Sequence, residues 1–132
     1  MKKWTILTAF FLMFFFTALS CTDAEEPLIC HLYGYVRTVS SDSLSGINNL
    51  ALKIYDINPY DVNTIRMRET TTGVQDSVPG FFEMDSVCYG TNKRQGNLVT
   101  IGIDSTQNPY PTQYHTPFIN GAVDTIVIEL AT

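Results

Sequence analysis

The chain is short of the residues from which most catalytic and metal sites are built. It contains only two histidines, His31 and His115, and its three cysteines form no Cys-x-x-Cys pair. Zinc sites draw on closely spaced ligands of these types, so a zinc centre has no support in the sequence. The Gly-x-Ser-x-Gly turn of serine hydrolases and a glycine-rich phosphate loop are missing as well. We therefore expect no enzymatic activity and no cofactor.

Basic side chains are also scarce. The chain of 132 residues has 8 lysines and arginines against 13 aspartates and glutamates, which gives a net charge of −5. Lys2 and Lys3 precede the mature chain defined below, and without them six basic and thirteen acidic side chains leave a net charge of −7. A surface this acidic repels phosphate backbones, which argues against nucleic acid as a partner.

The first 20 residues have the organisation of a secretory signal peptide. Lys2 and Lys3 are followed by an apolar run, residues 4–19, and by small Ser20. A charged start, an apolar middle and a small-residue exit are typical of a cleaved export signal. The run is also near the lower limit for spanning a bilayer, so an uncleaved N-terminal anchor is the alternative interpretation.

The end of this leader resembles a bacterial lipobox. Cys21 directly follows Ala18-Leu19-Ser20, and the resemblance implies that Cys21 is acylated with palmitate-type chains and becomes the new N-terminus. Several acyl chains anchor a protein stably, whereas one alone is marginal. We therefore predict a membrane-bound lipoprotein of the cell envelope, at the outer membrane and facing the periplasm or the outside. Residues 21–27 form an acidic, solvated tether in this interpretation.

The remaining two cysteines, Cys30 and Cys88, are an even pair in an oxidising compartment, where disulfides persist. We predict a disulfide between them, which closes a loop of 59 residues and stabilises the fold by about 4 kcal/mol on the chain-entropy estimate. The alternative is a pair of separate buried thiols, each acting as a small hydrophobic side chain.

Residues 28–132 form one predicted β domain. No segment after Pro27 sustains the apolar spacing of a helix, whereas short runs of Val, Ile, Tyr and Thr alternate with turn residues. We predict an antiparallel, Greek-key-type β-sandwich of about seven strands. The clearest strands are 28–39, 50–55, 64–72, 80–84, 98–103 and 123–130, with a further one at 87–89 or within the long loop 104–122.

Alternation along the strands predicts which side chains face the core. In the strand 64–72 the pattern places Ile65 and Met67 inward and exposes Arg66 and Arg68. The segment 56–61 is predicted to be a loop because of its Pro, Asn and Asp residues. Predicted core positions elsewhere are Cys30, Leu32, Gly34, Val36, Leu50, Leu52, Ile54, Phe82, Met84, Val99, Ile101, Ile103, Ile126, Ile128 and Leu130.

Four short motifs resemble the carboxypeptidase regulatory-like, prealbumin-like β-sandwich domains. They are Leu32-Tyr33-Gly34-Tyr35-Val36, the strand 50–55, Thr70-Thr71-Thr72 followed by Gly80-Phe81-Phe82, and the closing segment 124–130. The resemblance covers most of residues 29–130, and it implies a scaffolding or binding role without a shared catalytic site. Independently of it, Gly34 within a strand suggests a close approach of a neighbouring group, and Gly80 suggests a turn.

The long loop 104–122 carries the predicted binding surface. Tyr110, Tyr114, His115 and Phe118 combine flat amphipathic faces with hydrogen-bonding tips, which suit a glycan, a peptide or an envelope protein. The alternative is that these rings pack as a satellite cluster over one end of a sheet. Tyr33 and Tyr35 form a second outward set, which we expect to cover the sheet surface.

Four aspartates are the candidate catalytic or metal-binding residues if the protein is an enzyme. Asp56, Asp61, Asp104 and Asp124 lie at predicted loop ends, where they suit a carboxylate pair or a calcium site, although loop aspartates ordinarily form turns. The sequence therefore predicts a lipid-anchored, non-catalytic binding or structural β-sandwich. The alternative is a small envelope enzyme, a hydrolase or a metal-dependent one, with its site at the loop ends.

Overall fold

The computed structural model describes residues 23–40 and 43–131, and these residues form strands and connections without any helix. No helix that could cross a membrane is therefore found in these ranges. The leader and Cys21 lie outside the described residues, so the signal peptide and the acylation stay predictions. The strands are β1 (Pro27–Ser40), β2 (Ser43–Gly46), β3 (Ala51–Asn58), β4 (Asp61–Thr71), β5 (Gly73–Gln75), β6 (Val78–Thr91), β7 (Thr100–Ile103), β8 (Gln113–His115) and β9 (Val123–Leu130).

The strands form two sheets, which confirms the predicted all-β sandwich. In sheet A, β1 pairs with β6 and β2 on one side and with β9 on the other, and β5 extends the sheet beyond β6. Sheet B has the order β4-β3-β7-β8. All described strand pairs are antiparallel except β1 with β9. The segment after β8 leads from sheet B to the beginning of β1, where Ala122 accepts a hydrogen bond from the His31 backbone nitrogen, and β9 then runs in the same direction as β1.

The core lies between the sheets and follows the predicted alternation in β1, β3, β7 and β9. Phe82 of β6 lies directly opposite Gly34 of β1 and is buried. A Cβ atom on Gly34 would stand 2.2 Å from the Phe82 ring, so the missing side chain provides the space that the ring occupies. Gly80 has a φ of +83°, and a Cβ there would meet the carbonyl oxygen of Val36 at 2.2 Å.

The predicted loop 56–61 is wrong. Strand β3 continues to Asn58 and β4 begins at Asp61, which leaves only Pro59 and Tyr60 as a two-residue turn. The side chain of Asn58 accepts a hydrogen bond from the Tyr60 backbone nitrogen at 3.1 Å and so stabilises this turn. Turn-forming residues therefore close a tight hairpin here, and they do not form a longer loop.

The predicted faces of β4 are reversed. Ile65 is 63% and Met67 48% exposed, whereas Arg66 and Arg68 turn inward. The reason lies on the neighbouring strand, because β3 points the carboxylate of Asp56 into the sandwich, where it needs positive partners. The apolar residues of β4 consequently face solvent.

Several strands differ in number or bounds from the predicted ones. Strand β6 is continuous from Val78 to Thr91 and joins the two predicted strands 80–84 and 87–89 through Ser86, whose φ is +55°. Strands β2 and β5 lie in segments predicted to be turns, whereas β8 lies within the long loop 104–122, one of the two places predicted for a further strand. Each has only three or four residues, too few for a sequence period to be recognised.

The predicted disulfide is not present, since Cys30 and Cys88 are both buried free thiols. Cys30 lies opposite Val87, and both side chains belong to the core. Cys88 follows Val87 along the strand and so points to the other face. Burial raises the pKa of both thiols, which disfavours the thiolate needed for oxidation. The alternative of two separate buried thiols describes the structure.

Candidate binding surface and buried carboxylate

The four residues predicted to form a binding surface do not lie together. Tyr110 is partly buried and packs against the core. Tyr114 is opposite Gly102 on the outer face of sheet B, and its ring lies over that glycine. His115 is opposite the buried Ile101 and therefore faces the other way, so alternation along β8 separates these two side chains.

The aromatic residues of the loop differ in how deeply they are buried. Tyr110 folds down as the satellite-cluster alternative required, while Tyr114 and Phe118 are each 65% exposed. His115 hydrogen-bonds the side chain of Gln113 at 3.1 Å, and burial lowers the pKa of His115, so this ring is neutral at pH 7. The loop thus presents isolated exposed rings.

A continuous set of rings lies instead on the outer face of sheet A. We call it the aromatic row, and it consists of His31, Tyr33 and Tyr35 of β1 with Phe81 of β6. The His31 and Tyr33 ring centroids are 4.7 Å apart, and Phe81 lies 6.1 Å from Tyr33 and 5.6 Å from Tyr35. These are the separations of interacting aromatic pairs. The four side chains are half-buried, so the row lies along the sheet with one side towards solvent.

Charged groups stand at both ends of the aromatic row. At one end, His31 contacts two carboxylates of β6, Asp85 through Nδ1 at 3.2 Å and Glu83 through Nε2 at 3.4 Å. At the other end, Arg37 Nη2 donates to Glu129 of β9 at 2.6 Å. The row is therefore an apolar strip framed by hydrogen-bonding groups, which is the combination that orients a polar ligand on flat rings.

The most buried charge is on the inner side of the sandwich. Asp56 is fully buried, and its carboxylate accepts hydrogen bonds from Arg66 Nε at 3.0 Å and Nη2 at 2.8 Å. Arg68 Nη2 donates to it at 3.2 Å and the Cys88 backbone nitrogen at 2.8 Å. Arg66 also donates to the Ser86 carbonyl of β6. We call this the Asp56 network, and it joins both sheets.

The Asp56 network has the features of a structural ion cluster. The hydrogen bonds from Arg66 to Asp56 raise the pKa of Arg66 above its usual range, so the guanidinium stays charged. Both carboxylate oxygens of Asp56 accept hydrogen bonds, Oδ1 from Arg66 Nε and Oδ2 from Arg66 Nη2, Arg68 Nη2 and the Cys88 backbone nitrogen, so the guanidinium of Arg66 binds the carboxylate through two nitrogens. A carboxylate held in this way is not available as a base or a metal ligand.

The other candidate carboxylates have separate partners. Asp104 accepts hydrogen bonds from the backbone and the hydroxyl of Thr106, which lower the pKa of Asp104. Asp124 accepts from the backbone nitrogen of Asn120 at 3.0 Å, and Asp61 lies at the start of β4. In the part of the chain that the structure describes, no group of three or more metal-ligating side chains could hold an ion.

Comparison with protein-family models, with curated proteins and with solved structures found no significant match to this chain. The resemblance to carboxypeptidase regulatory-like domains therefore stays a prediction. The all-β sandwich is consistent with it.

Sequence reasoning missed Phe81, Glu83 and Asp85 as companions of Tyr33. They come from β6, about fifty positions further along the chain, and join the row only through the β1–β6 pairing. One signal was present, because Phe81, Glu83 and Asp85 alternate with the predicted core residues Phe82 and Met84. That alternation indicated a shared outer face, but it did not indicate the strand beside it.

Proposed function

We propose that this protein is a lipid-anchored, non-catalytic binding protein of the cell envelope. Acylated Cys21 attaches it to the membrane, and the aromatic row binds an extended glycan. The aromatic row is the observation that carries the proposal, since among the residues that the structure describes it brings several half-buried rings and polar groups together on one sheet face. The lipid anchor rests on the leader and on Cys21.

The chemistry of the row favours a glycan. Half-buried rings present flat apolar faces, which match the carbon–hydrogen faces of a pyranose ring. Glu83 and Asp85 accept hydrogen bonds from hydroxyl groups, and the hydroxyls of Tyr33 and Tyr35 both donate and accept. Such a strip binds successive sugar units without any group placed for bond cleavage.

The non-catalytic part of the proposal is supported by the state of the carboxylates. The carboxylate of Asp56 is bound by Arg66 and Arg68, and that of Asp104 accepts hydrogen bonds from Thr106 and contacts Lys53 at 3.5 Å. The His31 contacts with Glu83 and Asp85 lie on an open sheet face, where water is not excluded and electrostatic effects are screened.

Binding to the row is testable with the mature domain carrying Cys21→Ser. We expect it to bind one class of oligosaccharides on a glycan array, and Tyr33→Ala with Tyr35→Ala to weaken that binding at least tenfold, because stacking on two rings is lost. Tyr114→Ala is the matched control, since Tyr114 is an exposed tyrosine on sheet B, and it should bind normally. Equal weakening by the Tyr33/Tyr35 double change and by Tyr114→Ala would contradict the aromatic row as the binding site. A domain that binds peptides but no glycan would show that the ligand is a peptide.

The anchor is testable in a bacterial host. Cells that express the full chain should incorporate labelled palmitate into the protein, and Cys21→Ala should abolish the label because the acylated thiol is gone. Labelling that persists in Cys21→Ala would refute the lipobox.

A further inference from the structure

The predicted tether is held against the sandwich where the structure describes it. The backbone nitrogen of Glu26 donates to Asn92 Oδ1 at 3.0 Å, and the backbone nitrogen of Asn92 donates to the Glu26 carbonyl at 3.0 Å. Lys93 Nζ donates to the carbonyl of Asp23. We call these contacts between residues 23–26 and residues 91–94 the tether clamp. It places the start of the described chain at the end of the sandwich where β6 finishes.

A side chain of the tether takes part in the clamp as well. Glu25 Oε1 accepts hydrogen bonds from Thr91 Oγ1 and from Arg94 Nε, both at 2.6 Å. These bonds hold the pKa of Glu25 below its ordinary value, so the carboxylate is ionised at neutral pH. The acidic tether is therefore complementary to the loop that it contacts.

The same end of the sandwich exposes an aromatic side chain. Arg94 Nη2 donates to the carbonyl of Val62, which brings the β3–β4 turn beside the clamp. Tyr60 at the tip of this turn is 95% exposed. Tyrosine is enriched at membrane–water interfaces, where its ring meets the apolar boundary and its hydroxyl stays hydrated.

The length of chain between the clamp and Cys21 limits where this end lies. Asp23 follows Cys21 by two residues, and two extended residues span at most about 7 Å. An acylated Cys21 therefore keeps the clamped end close to the bilayer surface. The opposite end of the sandwich, where Val74 of β5 pairs with Pro79, is separated from Thr91 by twelve residues of β6, or roughly 40 Å.

We infer that the β3–β4 turn with Tyr60 and the loop 91–94 form a membrane-contact surface. It rests on the phospholipid headgroups beside the anchor, with the Tyr60 ring in the interface, and it holds the sandwich upright. The aromatic row then runs away from the membrane along β1. This inference rests on the lipid anchor proposed above and adds the orientation of the domain.

Tryptophan fluorescence tests the orientation, because the mature chain has no tryptophan once Trp4 leaves with the leader. Acylated Tyr60→Trp and Val74→Trp proteins are reconstituted on phosphatidylcholine vesicles with brominated acyl chains. We expect several-fold stronger quenching in Tyr60→Trp than in Val74→Trp, with a blue shift only in Tyr60→Trp. Equal quenching of the two vesicle-bound proteins would overturn the inference and leave the anchor intact. Protein that carries no acyl group and stays off the vesicles would overturn both.

The clamp itself is tested in the Tyr60→Trp background. Glu25→Gln removes the charge that binds Arg94, whereas Glu26→Gln removes an equal charge from an exposed side chain. We expect Glu25→Gln to reduce the quenching and Glu26→Gln to leave it unchanged. A flexible Gly-Ser insertion between Thr22 and Asp23 should reduce the quenching further, because it lengthens the chain between Cys21 and the tether clamp. If the protein with the insertion is still fully quenched, the short link between Cys21 and the tether clamp does not hold this end of the sandwich at the membrane.

Discussion

Replacement of Asp56 by alanine is expected to lower the free energy of unfolding by about 3–5 kcal/mol, the usual cost of removing one partner from a buried ion pair. The change leaves Arg66 and Arg68 directed into the sandwich without the carboxylate that binds both. It also removes the acceptor of the Cys88 backbone nitrogen. Urea denaturation of the mature domain measures the effect.

Glu69→Ala is the matched control for Asp56→Ala. Glu69 is an exposed carboxylate on β4, and its loss should change the stability by no more than about 0.5 kcal/mol. A triple variant with Asp56→Leu, Arg66→Met and Arg68→Met should recover most of the lost stability, because no unpaired charge remains. A cost for Asp56→Ala similar to that for Glu69→Ala would contradict the structural role of the Asp56 network.

Phe82→Ala is expected to lower the free energy of unfolding by about 3–5 kcal/mol, because it opens a cavity at the centre of the core. Gly34→Ala should cost about 1–3 kcal/mol, since its Cβ overlaps the Phe82 ring. The two positions are in direct contact, so the double variant should cost less than the sum of the two single ones. Urea denaturation of all four proteins completes the cycle.

Gly73→Ala is the control for this cycle. A Cβ on Gly73 meets nothing within 4 Å, and its backbone is not in the left-handed region. We expect this change to be neutral or to stabilise by up to about 1 kcal/mol, since it restricts the unfolded chain. Strict additivity of Gly34→Ala and Phe82→Ala would contradict the packing of the ring onto the glycine.

The residues of the aromatic row were harder to predict than the fold. Tyr33 and Tyr35 could be assigned to an outer face from alternation alone, and the structure places them there. Their companions depend on which strand lies next to β1, and local alternation carries no information on strand order. The long loop looked more suitable because its rings are close in sequence, but β8 directs Tyr114 and His115 to opposite faces.

The sequence by itself determined the inward faces of β1, β3 and β9. Apolar residues at every second position, such as Leu32, Leu52 and Ile128, must face a core whichever strand lies beside them. The sequence also carries the whole case for the leader and for Cys21. Only the tertiary structure decided that β4 turns its arginines inward, because that choice depends on the carboxylate of Asp56 across the hairpin. It likewise decided the aromatic row and the tether clamp, since each joins segments more than forty residues apart, whose meeting depends on the packing of the whole domain.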